Sequence, residues 1–251
     1  MRLPRLYTPQ KLHQQTRIQL DDKAAQHLVK VLRFKAGAEV ELFNGDGVHY
    51  RGTLVEASKK QVVVELTSHT ASHQESPLHT HLGQVISRGD RMDYAVQKAT
   101  ELGVTEITPL FSERCEVRLN PERQQKRKEH WQQVAISAAE QCGRATVPQV
   151  HDCASLEDWI GRLGQDELGL VLHHRDQQNL MALPAPNAVR LLIGPEGGLS
   201  DREIKAAQTQ GFKAATFGPR VWRTETAPVA ALSIAQWLWG DLQTSSTDIQ
   251  D

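Results

Sequence analysis

Cysteine is scarce in this 251-residue chain, which contains only Cys115, Cys142 and Cys153. An odd number of cysteines without Cys-x-x-Cys spacing predicts neither a disulfide framework nor a zinc site. The sequence also lacks any apolar run near the roughly 20 residues that span a membrane, and it lacks the segment order of a secretory signal peptide. These absences predict a soluble, unprocessed protein of the reducing cytoplasm, with no membrane partner and no metal.

Two common nucleotide-binding loops are also missing. The sequence lacks the Gly-Lys-Ser/Thr ending of a Walker phosphate loop. It also has no Gly-x-Gly-x-x-Gly after an early strand, which argues against an ordinary Rossmann site. Neither His173-His174 nor His79-Thr80-His81 has partner ligands at a recognised metal spacing, so we interpret these as non-metal histidines. Cys142 has no histidine at a recognised spacing and is interpreted as a small buried hydrophobe, not as a nucleophile.

The net charge of -1 hides an asymmetry along the chain. Residues 1–38 hold eight Lys or Arg residues and only two acids, a surplus of six positive charges, so the rest of the chain carries -7. A basic segment of this kind is typical of a surface that neutralises phosphates, although an ordinary solvated face would have the same composition. Because domains usually contain about 100 to 200 residues, we expect two domains.

Residues 39–66 contain short strand-like runs separated by Asn, Gly, Asp and Ser. Strands are predicted at 40–43, 50–55 and 62–66, with a hairpin turn at 44–47, so we expect an antiparallel meander or a small barrel. The polar stretch 68–77 has no apolar periodicity, and the domain linker is placed in it. The predicted organisation is a first domain at 1–70 and a linker at 71–78.

After the linker, short apolar runs alternate with helical segments, which is typical of an α/β domain with a largely parallel sheet. Strands are predicted at 82–86, 107–111, 168–172, 189–193 and 214–217. This domain is expected to cover 79–243, and the polar residues 244–251 are expected to form a frayed tail.

Four helices of the second domain have recognisable end signals. Asp90 is predicted to cap the first, which Gly103 ends. Asn120-Pro121 opens the second, which stops near residue 143. Ser200 begins the capping box of the third, which residue 211 ends. The last helix begins near residue 226, and its predicted apolar face comprises Val229, Leu232, Ala235 and Trp237 or Leu238.

The most informative stretch is 191–204, which reads LLIGPEGGLSDREI. An apolar strand runs into three glycines around Glu196 and then into the capped helix. A glycine-rich turn between a strand and a helix N-terminus lets backbone N–H groups approach a ligand closely, so this loop is the predicted cofactor site. A plain turn from strand to helix would also use glycine, but it would not need three.

Two further polar clusters accompany that loop. Residues 217–227 read FGPRVWRTETA, and their arginines are suited to hold RNA phosphate or to stabilise a developing anion. Taken alone, this stretch is better explained as a surface loop before a helix. Residues 140–144, reading EQCGR, follow the long second helix.

Together these stretches resemble the small-subunit ribosomal RNA uridine N3-methyltransferase family of the SPOUT superfamily. The resemblance covers nearly the whole chain: His27 with residues 31–33, then 98–104, 112–114, 140–144, IGPEGGLS and FGPRVWRTETA. It implies an α/β fold whose C-terminal SPOUT-type domain is a trefoil-knotted parallel sheet, with a small N-terminal PUA-like β-barrel domain that helps to bind RNA. It also implies a homodimer, S-adenosyl-L-methionine as cofactor, and one uridine of 16S rRNA in the small ribosomal subunit as substrate.

The resemblance also implies roles for individual residues. Three loops would hold the cofactor through Leu172, His173, Ile193, Gly194, Pro195, Glu196, Gly198, Phe217, Gly218, Val221, Trp222, Thr224 and Ala227. The expected catalytic residues are Glu196, Arg223 and Glu225. The expected RNA contacts are Arg2, Arg5, Lys30, Arg33, Arg88, Arg114, Arg144 and Arg220. Trp222 departs from the family, which commonly has Leu or Ile there, and its larger side chain would either tighten the cofactor pocket or repack its wall.

Transfer of a methyl group to uridine N3 requires that the imide nitrogen lose its proton. Glu196 and Glu225 are alternative bases, and arginines at 144, 220 and 223 are candidates to stabilise the uridine anion. The target uracil must first be unstacked from its neighbours in the RNA. RNA binding should also be sensitive to salt. Two other functions stay open: a SPOUT methyltransferase acting on another RNA, or a non-catalytic RNA-binding ribosome-assembly protein. The intact glycines and the ETA segment argue against the latter.

Overall fold

The computed structural model describes residues 3–26, 28–29, 33–58, 61–173 and 180–243. The chain divides into two compact units, one formed by Met1–Glu75 with Ala139–Val147 and the other by Ser76–Ala138 with Pro148–Asp251. The predicted tail at 244–251 lies outside the described residues. Within the described ranges, no helix has both the length and the apolar character that a membrane crossing requires.

The first unit contains a five-stranded sheet in the order β1-β3-β4-β5-β2. Its elements are β1 (Arg5–Tyr7), β2 (Arg17–Gln19), α1 (Asp22–Gln26), β3 (Glu39–Phe43), β4 (Val48–Ala57) and β5 (Val62–Ala71). Strands β3, β4 and β5 form the predicted antiparallel meander. The hairpin turn is also as predicted, because Gly45 and Gly47 supply backbone φ angles of +95° and +80° that other residues rarely adopt.

Strand β5 is longer than the sequence predicts. It continues through residues 68–71, within the polar stretch 68–77 in which the linker was placed, and Ala71 pairs with Val48 of β4. The side chains of residues 67–71 are all exposed, so apolar periodicity is lost there while the backbone ladder continues. The pairing of strands depends on backbone groups, which leave no signature in a polar sequence.

The second unit contains a parallel sheet in the order β12-β10-β11-β6-β7-β8, with β9 pairing beside β7. Its strands are β6 (His79–Val85), β7 (Glu106–Phe111), β8 (Gln149–Val150), β9 (Ala154–Ser155), β10 (Glu167–Leu172), β11 (Ala188–Ile193) and β12 (Lys213–Ala215). All their pairings are parallel, as expected. The central strands β6 and β11 are almost fully buried, which is typical of a parallel sheet covered on both faces.

The remaining helices are α2 (Arg91–Glu101), α3 (Pro121–Cys142), α4 (Leu156–Ile160), α5 (Asp201–Thr209) and α6 (Thr226–Trp239). The capping box of α5 forms as predicted, and Asn120 Oδ1 accepts from the Arg123 N–H at the start of α3. Asp90 precedes α2, but its side chain makes no capping hydrogen bond, which corrects the prediction.

The predicted apolar face of α6 is only partly correct. Trp237 has 57% of its surface exposed, whereas Leu232 and Ala235 are buried. Gln236, a polar residue, is fully buried because its amide donates to the Leu102 carbonyl (3.1 Å) and accepts from the Ser76 hydroxyl (2.6 Å). Hydrogen bonds to distant parts of the chain therefore bury a face of α6 that includes Gln236. Side-chain polarity alone predicts a different buried face.

Candidate active site

A cavity of about 740 Å³ lies where strands β10, β11 and β12 end. Parallel strands present their carboxyl ends at one edge of the sheet, so the three following loops meet there. All thirteen residues predicted to bind the cofactor line this cavity, together with the predicted catalytic residues Arg223 and Glu225. The residues that the family resemblance assigned to the cofactor therefore lie together in the fold, and their role in binding stays a prediction.

The cavity also has lining residues that had not been assigned to the cofactor. Thr216 and Ala215 extend the end of β12, and Leu199, Asp201 and Ile204 follow the glycine-rich loop. These residues could have been predicted from the sequence because they lie within or next to the motif-bearing stretches. Arg91, from the first turn of α2, carries no such signal, because its place in the wall depends on how a distant helix packs.

Hydrogen bonds between loops fix the wall of the cavity. The Thr224 hydroxyl donates to the Gly194 carbonyl (2.8 Å) and accepts from the Gln84 amide (3.1 Å). Arg114 donates to the carbonyls of Gly197 (3.0 Å) and Leu199 (3.3 Å). These bonds join segments far apart in sequence and hold the loops together where they meet.

Glu196 is held tightly by two donors. Its Oε1 accepts from the Arg88 backbone N–H (3.0 Å) and from Arg91 Nη1 (2.7 Å). Burial opposes ionisation of this carboxyl, but those hydrogen bonds and the charge of Arg91 outweigh it and lower the pKa of Glu196 below its usual value. A carboxylate so engaged is a poor proton acceptor.

Glu225 is held differently, at the residue before helix α6. Its Oε2 is buried and has no hydrogen-bond partner among the residues that the structure describes, and Arg91 Nε lies 3.7 Å away. A buried carboxylate oxygen without a donor is costly unless a ligand supplies one. Glu225 therefore brings a buried oxygen that lacks a donor to the wall of the cavity, beside the positive charge of Arg91.

Comparison with known proteins decides the family. An RNA methyltransferase domain matches residues 74–236, and an RNA methyltransferase PUA domain matches residues 20–67. The ribosomal RNA small subunit methyltransferase E of Buchnera aphidicola is 36% identical over 242 residues, which are 96% of this chain and 98% of that protein. The chain belongs to the ribosomal RNA small subunit methyltransferase E family.

Two solved structures resemble this member of the methyltransferase E family closely. A Legionella pneumophila protein in complex with its cofactor SAM has a TM-score of 0.92 and 40% identity, covering 96% of this chain and 100% of that one. The family's Neisseria gonorrhoeae protein, bound to S-adenosyl methionine, has a TM-score of 0.91 and 37% identity with the same coverage. The expected fold class, a SPOUT-type parallel-sheet domain preceded by a PUA-like β domain, is confirmed.

Two arginines predicted to contact RNA are instead internal in this family member. Arg5 has a side chain only 7% exposed and donates to Glu41 (2.7 Å) and to three backbone carbonyls at or just beyond the end of α3. Arg144 is 8% exposed and donates to Glu75 (3.0 Å). These guanidinium groups are already desolvated and paired, so the prediction that they reach RNA phosphate is corrected.

The other predicted RNA contacts fall into three groups. Arg33 is exposed in the first unit, and Arg88 is exposed in the second, where it pairs with Glu116 (2.6 Å). Arg114 and Arg220 line the cavity. Arg2 and Lys30 lie outside the described residues.

Trp222 lies in the last loop of the cavity wall. Its indole stacks on Phe217 with ring centroids 6.0 Å apart and planes inclined by 13°. The neighbouring Val221 is 85% exposed, so the loop turns one apolar side chain to solvent and the next towards the wall. The larger residue therefore makes a ring contact within the wall that an aliphatic residue could not make.

Proposed function

We propose that this chain transfers the methyl group of S-adenosyl-L-methionine to N3 of one uridine in 16S rRNA of the small ribosomal subunit. The observation that carries the proposal is the cavity at the carboxyl edge of the parallel sheet, where three motif-bearing loops meet. The two SAM-bound relatives and the family name support the cofactor and an rRNA substrate. The choice of uridine N3 rests on the sequence resemblance.

The residues of the cavity fit such a cofactor. Its volume of about 740 Å³ is within the usual range for small-molecule sites. Gly198 has a φ of +67°, which favours glycine, and a Cβ added at Gly194 would lie 3.0 Å from the Leu199 side chain, so a larger residue there would crowd the loop. When bound, the cofactor supplies a methyl group on a positively charged sulfonium, and Glu196 and Glu225 give the wall a complementary charge.

The geometry favours Glu225 over Glu196 as the proton acceptor. Glu196 is committed to two donors, whereas Glu225 Oε2 is free to accept the N3 proton. Arg223 and Arg220 line the same cavity and are proposed to stabilise the negative charge that the uridine oxygens acquire. Arg91 holds both carboxylates and acts as a positioning residue.

The proposed partners follow from this chemistry. A uridine that is methylated at N3 must be unpaired during the reaction, because N3 lies on the Watson-Crick edge. The PUA-like unit, with exposed Arg33, is proposed to contribute phosphate contacts. We further propose a homodimer that works in the cytoplasm, where the small ribosomal subunit is assembled.

Methyl transfer from labelled S-adenosyl-L-methionine to purified RNA tests this proposal. The substrates are 30S subunits from cells that lack the gene, with 50S subunits and tRNA as matched alternatives. The expected result is one methyl group per 30S subunit and background label in the others. Label in tRNA or 50S subunits would indicate a methyltransferase with another substrate. Cofactor binding and transfer both at background would indicate a non-catalytic RNA-binding protein.

A further inference from the structure

Three chemistry-bearing side chains converge at the edge of the sheet opposite the cavity. His81 lies in β6, Glu106 is the first residue of β7, and His151 directly follows β8. His81 and Glu106 are partners in the strand register, and Glu106 is the partner of Gln149, two residues before His151. The parallel sheet therefore brings together ligand types that are 25 and 45 residues apart in sequence.

One carboxylate oxygen is the centre of this cluster. Glu106 Oε2 lies 2.5 Å from His151 Nε2 and 3.9 Å from His81 Nδ1, and one ligand atom from each residue lies within 4.8 Å of the others. The side chains of Glu106 and His151 are 28% and 30% exposed, whereas that of His81 is 9% exposed. The cluster is thus anchored on the buried side and open to solvent on the other.

Small side-chain rotations would suit this cluster to a metal ion. Zinc–nitrogen bonds of about 2.0–2.1 Å in a tetrahedron place neighbouring ligand atoms roughly 3.3 Å apart. The distance from Glu106 Oε2 to His151 Nε2 must increase by somewhat less than about 1 Å, and the distance from Glu106 Oε2 to His81 Nδ1 must decrease by about 0.6 Å. Two imidazoles and one carboxylate suit Zn²⁺, Co²⁺, Ni²⁺ or Cu²⁺, whereas Mg²⁺ and Ca²⁺ prefer oxygen ligands alone.

Surrounding groups orient the ligands. His79 Nε2 lies 3.1 Å from Glu106 Oε1, the other oxygen of the same carboxylate. Thr108 Oγ1 lies 2.7 Å from His81 Nε2 and can accept its proton, which leaves Nδ1 as the metal ligand. The Trp159 indole N–H can also donate to His81 Nε2 (3.3 Å) when that nitrogen carries no proton. Metal binding at Nδ1 places the proton on Nε2, which then donates to Thr108 and no longer accepts from Trp159.

A fixed cation close to the site, Arg190, is already paired. Arg190 faces the same region and stacks over the Trp159 ring at 5.0 Å, but it donates to Glu167 at 2.9 Å. Its charge is therefore largely compensated before a divalent ion enters.

We infer that His81, Glu106 and His151 bind one divalent transition-metal ion of the Zn²⁺ class, with water in the open positions. The ion joins β6, β7 and the segment after β8, and it lies at the opposite edge of the sheet from the methyl-transfer cavity. The bound ion is expected to stabilise the packing of these three segments against one another. The inference is independent of the proposed substrate, and it replaces the sequence-based prediction of no metal, which considered spacing along the chain and not between strands.

Titration of the chelator-treated full-length protein with Co²⁺ and Zn²⁺ tests the inference. We expect one Co²⁺ per chain with the visible absorption of a four- or five-coordinate ion, displaced by Zn²⁺, and a higher melting temperature with either ion. Glu106→Gln and His151→Ala should each weaken binding at least tenfold. His130→Ala is the matched control, because His130 also pairs with a carboxylate, Asp93 (2.7 Å), but has no second imidazole; its affinity should equal that of the wild type.

Equal Co²⁺ affinity, within twofold, in wild type and His151→Ala would overturn the inference, as would binding no tighter than that of free histidine. His151 is partly exposed, so its replacement should preserve folding, which the metal-free melting temperature will report. If His151→Ala does not fold, His151→Gln keeps the hydrogen bond to Glu106 but removes the imidazole, and the same tenfold loss is expected.

Discussion

At the scale of single residues, two glutamates beside Arg91 separate into different tasks. Glu225 has a free buried oxygen, so it is expected to accept the uridine proton. Glu225→Gln should lower the single-turnover rate of methyl transfer by about 10² to 10⁴, the usual worth of a general base. Cofactor affinity, measured by calorimetry, should change less than about threefold. A variant with a normal rate would remove Glu225 from the mechanism.

Glu196 is expected to stabilise the folded protein and not to accept the uridine proton. Its folded-state pKa is below the ordinary value, so the unfolded chain binds the proton more readily near pH 4.5. The contribution of Glu196 is therefore fully present above pH 4.5 and is lost as the pH falls through the folded pKa. Glu196→Gln should cost about 1 kcal/mol at pH 7, because the pair is part-exposed. Urea unfolding should show wild type and variant converging as the pH falls below the lowered pKa of Glu196, and a constant difference would contradict this account.

Thr224 joins two loops and strand β6 through one hydroxyl. Thr224→Val keeps the shape but leaves the Gly194 carbonyl and the Gln84 amide without their partner. We expect a loss of about 1–3 kcal/mol of stability and weaker cofactor binding. Thr209→Val, on the exposed end of α5, is the control and should change stability by less than about 0.5 kcal/mol. Equal effects of the two changes would show that the bridge is unimportant.

Residues of the site were predictable where the chain itself brings them together. The glycine-rich loop and the last loop each carry several cavity residues in a short stretch, so their chemistry is visible in the sequence. Arg91 was missed because it comes from a separate helix. Arg5 was assigned to RNA because its charge is visible in the sequence, whereas its burial against Glu41 is not.

At the scale of elements, the start of helix α5 determines the end of the glycine-rich loop. Ser200 Oγ accepts from the Glu203 N–H, and Glu203 in turn accepts from Ser200 and from the Glu113 N–H. Ser200→Ala should cost about 1 kcal/mol and should weaken cofactor binding severalfold, because the loop and the cap are continuous.

Ser155→Ala is the matched control for that prediction. Ser155 caps α4 in the same way, accepting from the Asp158 N–H (3.0 Å), but it does not directly follow the glycine-rich loop. It should cost a similar stability in thermal unfolding and leave cofactor affinity unchanged. Parallel losses of affinity in both variants would indicate a general loosening, and not a local one.

Elements were predicted well where end signals and apolar periodicity agree. The capping box of α5 and the Asn120 cap of α3 are examples. The prediction failed where distant contacts decide the outcome. The exposed residues at the end of β5 are held by backbone pairing with β4, and Gln236 is buried by partners more than 130 residues away.

At the scale of the whole molecule, the basic first unit predicts a salt-dependent interaction with RNA. Each phosphate contact adds roughly 0.7 to 0.9 to the slope of log affinity against log salt. Arg33→Ala should lower that slope by about 1, with little change in stability. Arg5→Ala should instead destabilise the protein by about 3 kcal/mol, because it removes the hydrogen bond to Glu41 and those to three backbone carbonyls in a mostly buried site. Filter binding across a salt series and thermal unfolding separate the two, and an unchanged slope in Arg33→Ala would contradict the prediction.

The division into two units was only partly visible in the sequence. A change from strand-like to alternating patterns indicated two domains, and family matches cover both. The first unit, however, includes residues 139–147, from the far end of helix α3. A prediction that reads boundaries along the chain assigns each domain one continuous segment, so it cannot anticipate a segment that returns.

The position of the transferred methyl group tests the central claim most directly. 16S rRNA from a deletion strain and from the same strain carrying the gene would be digested and compared by mass spectrometry. The account predicts one 3-methyluridine, at a single site, that is absent without the gene, restored by the wild type and not restored by Glu225→Gln. Complete 3-methyluridine in the deletion strain, or a restored methyl group on another nucleoside, would contradict it.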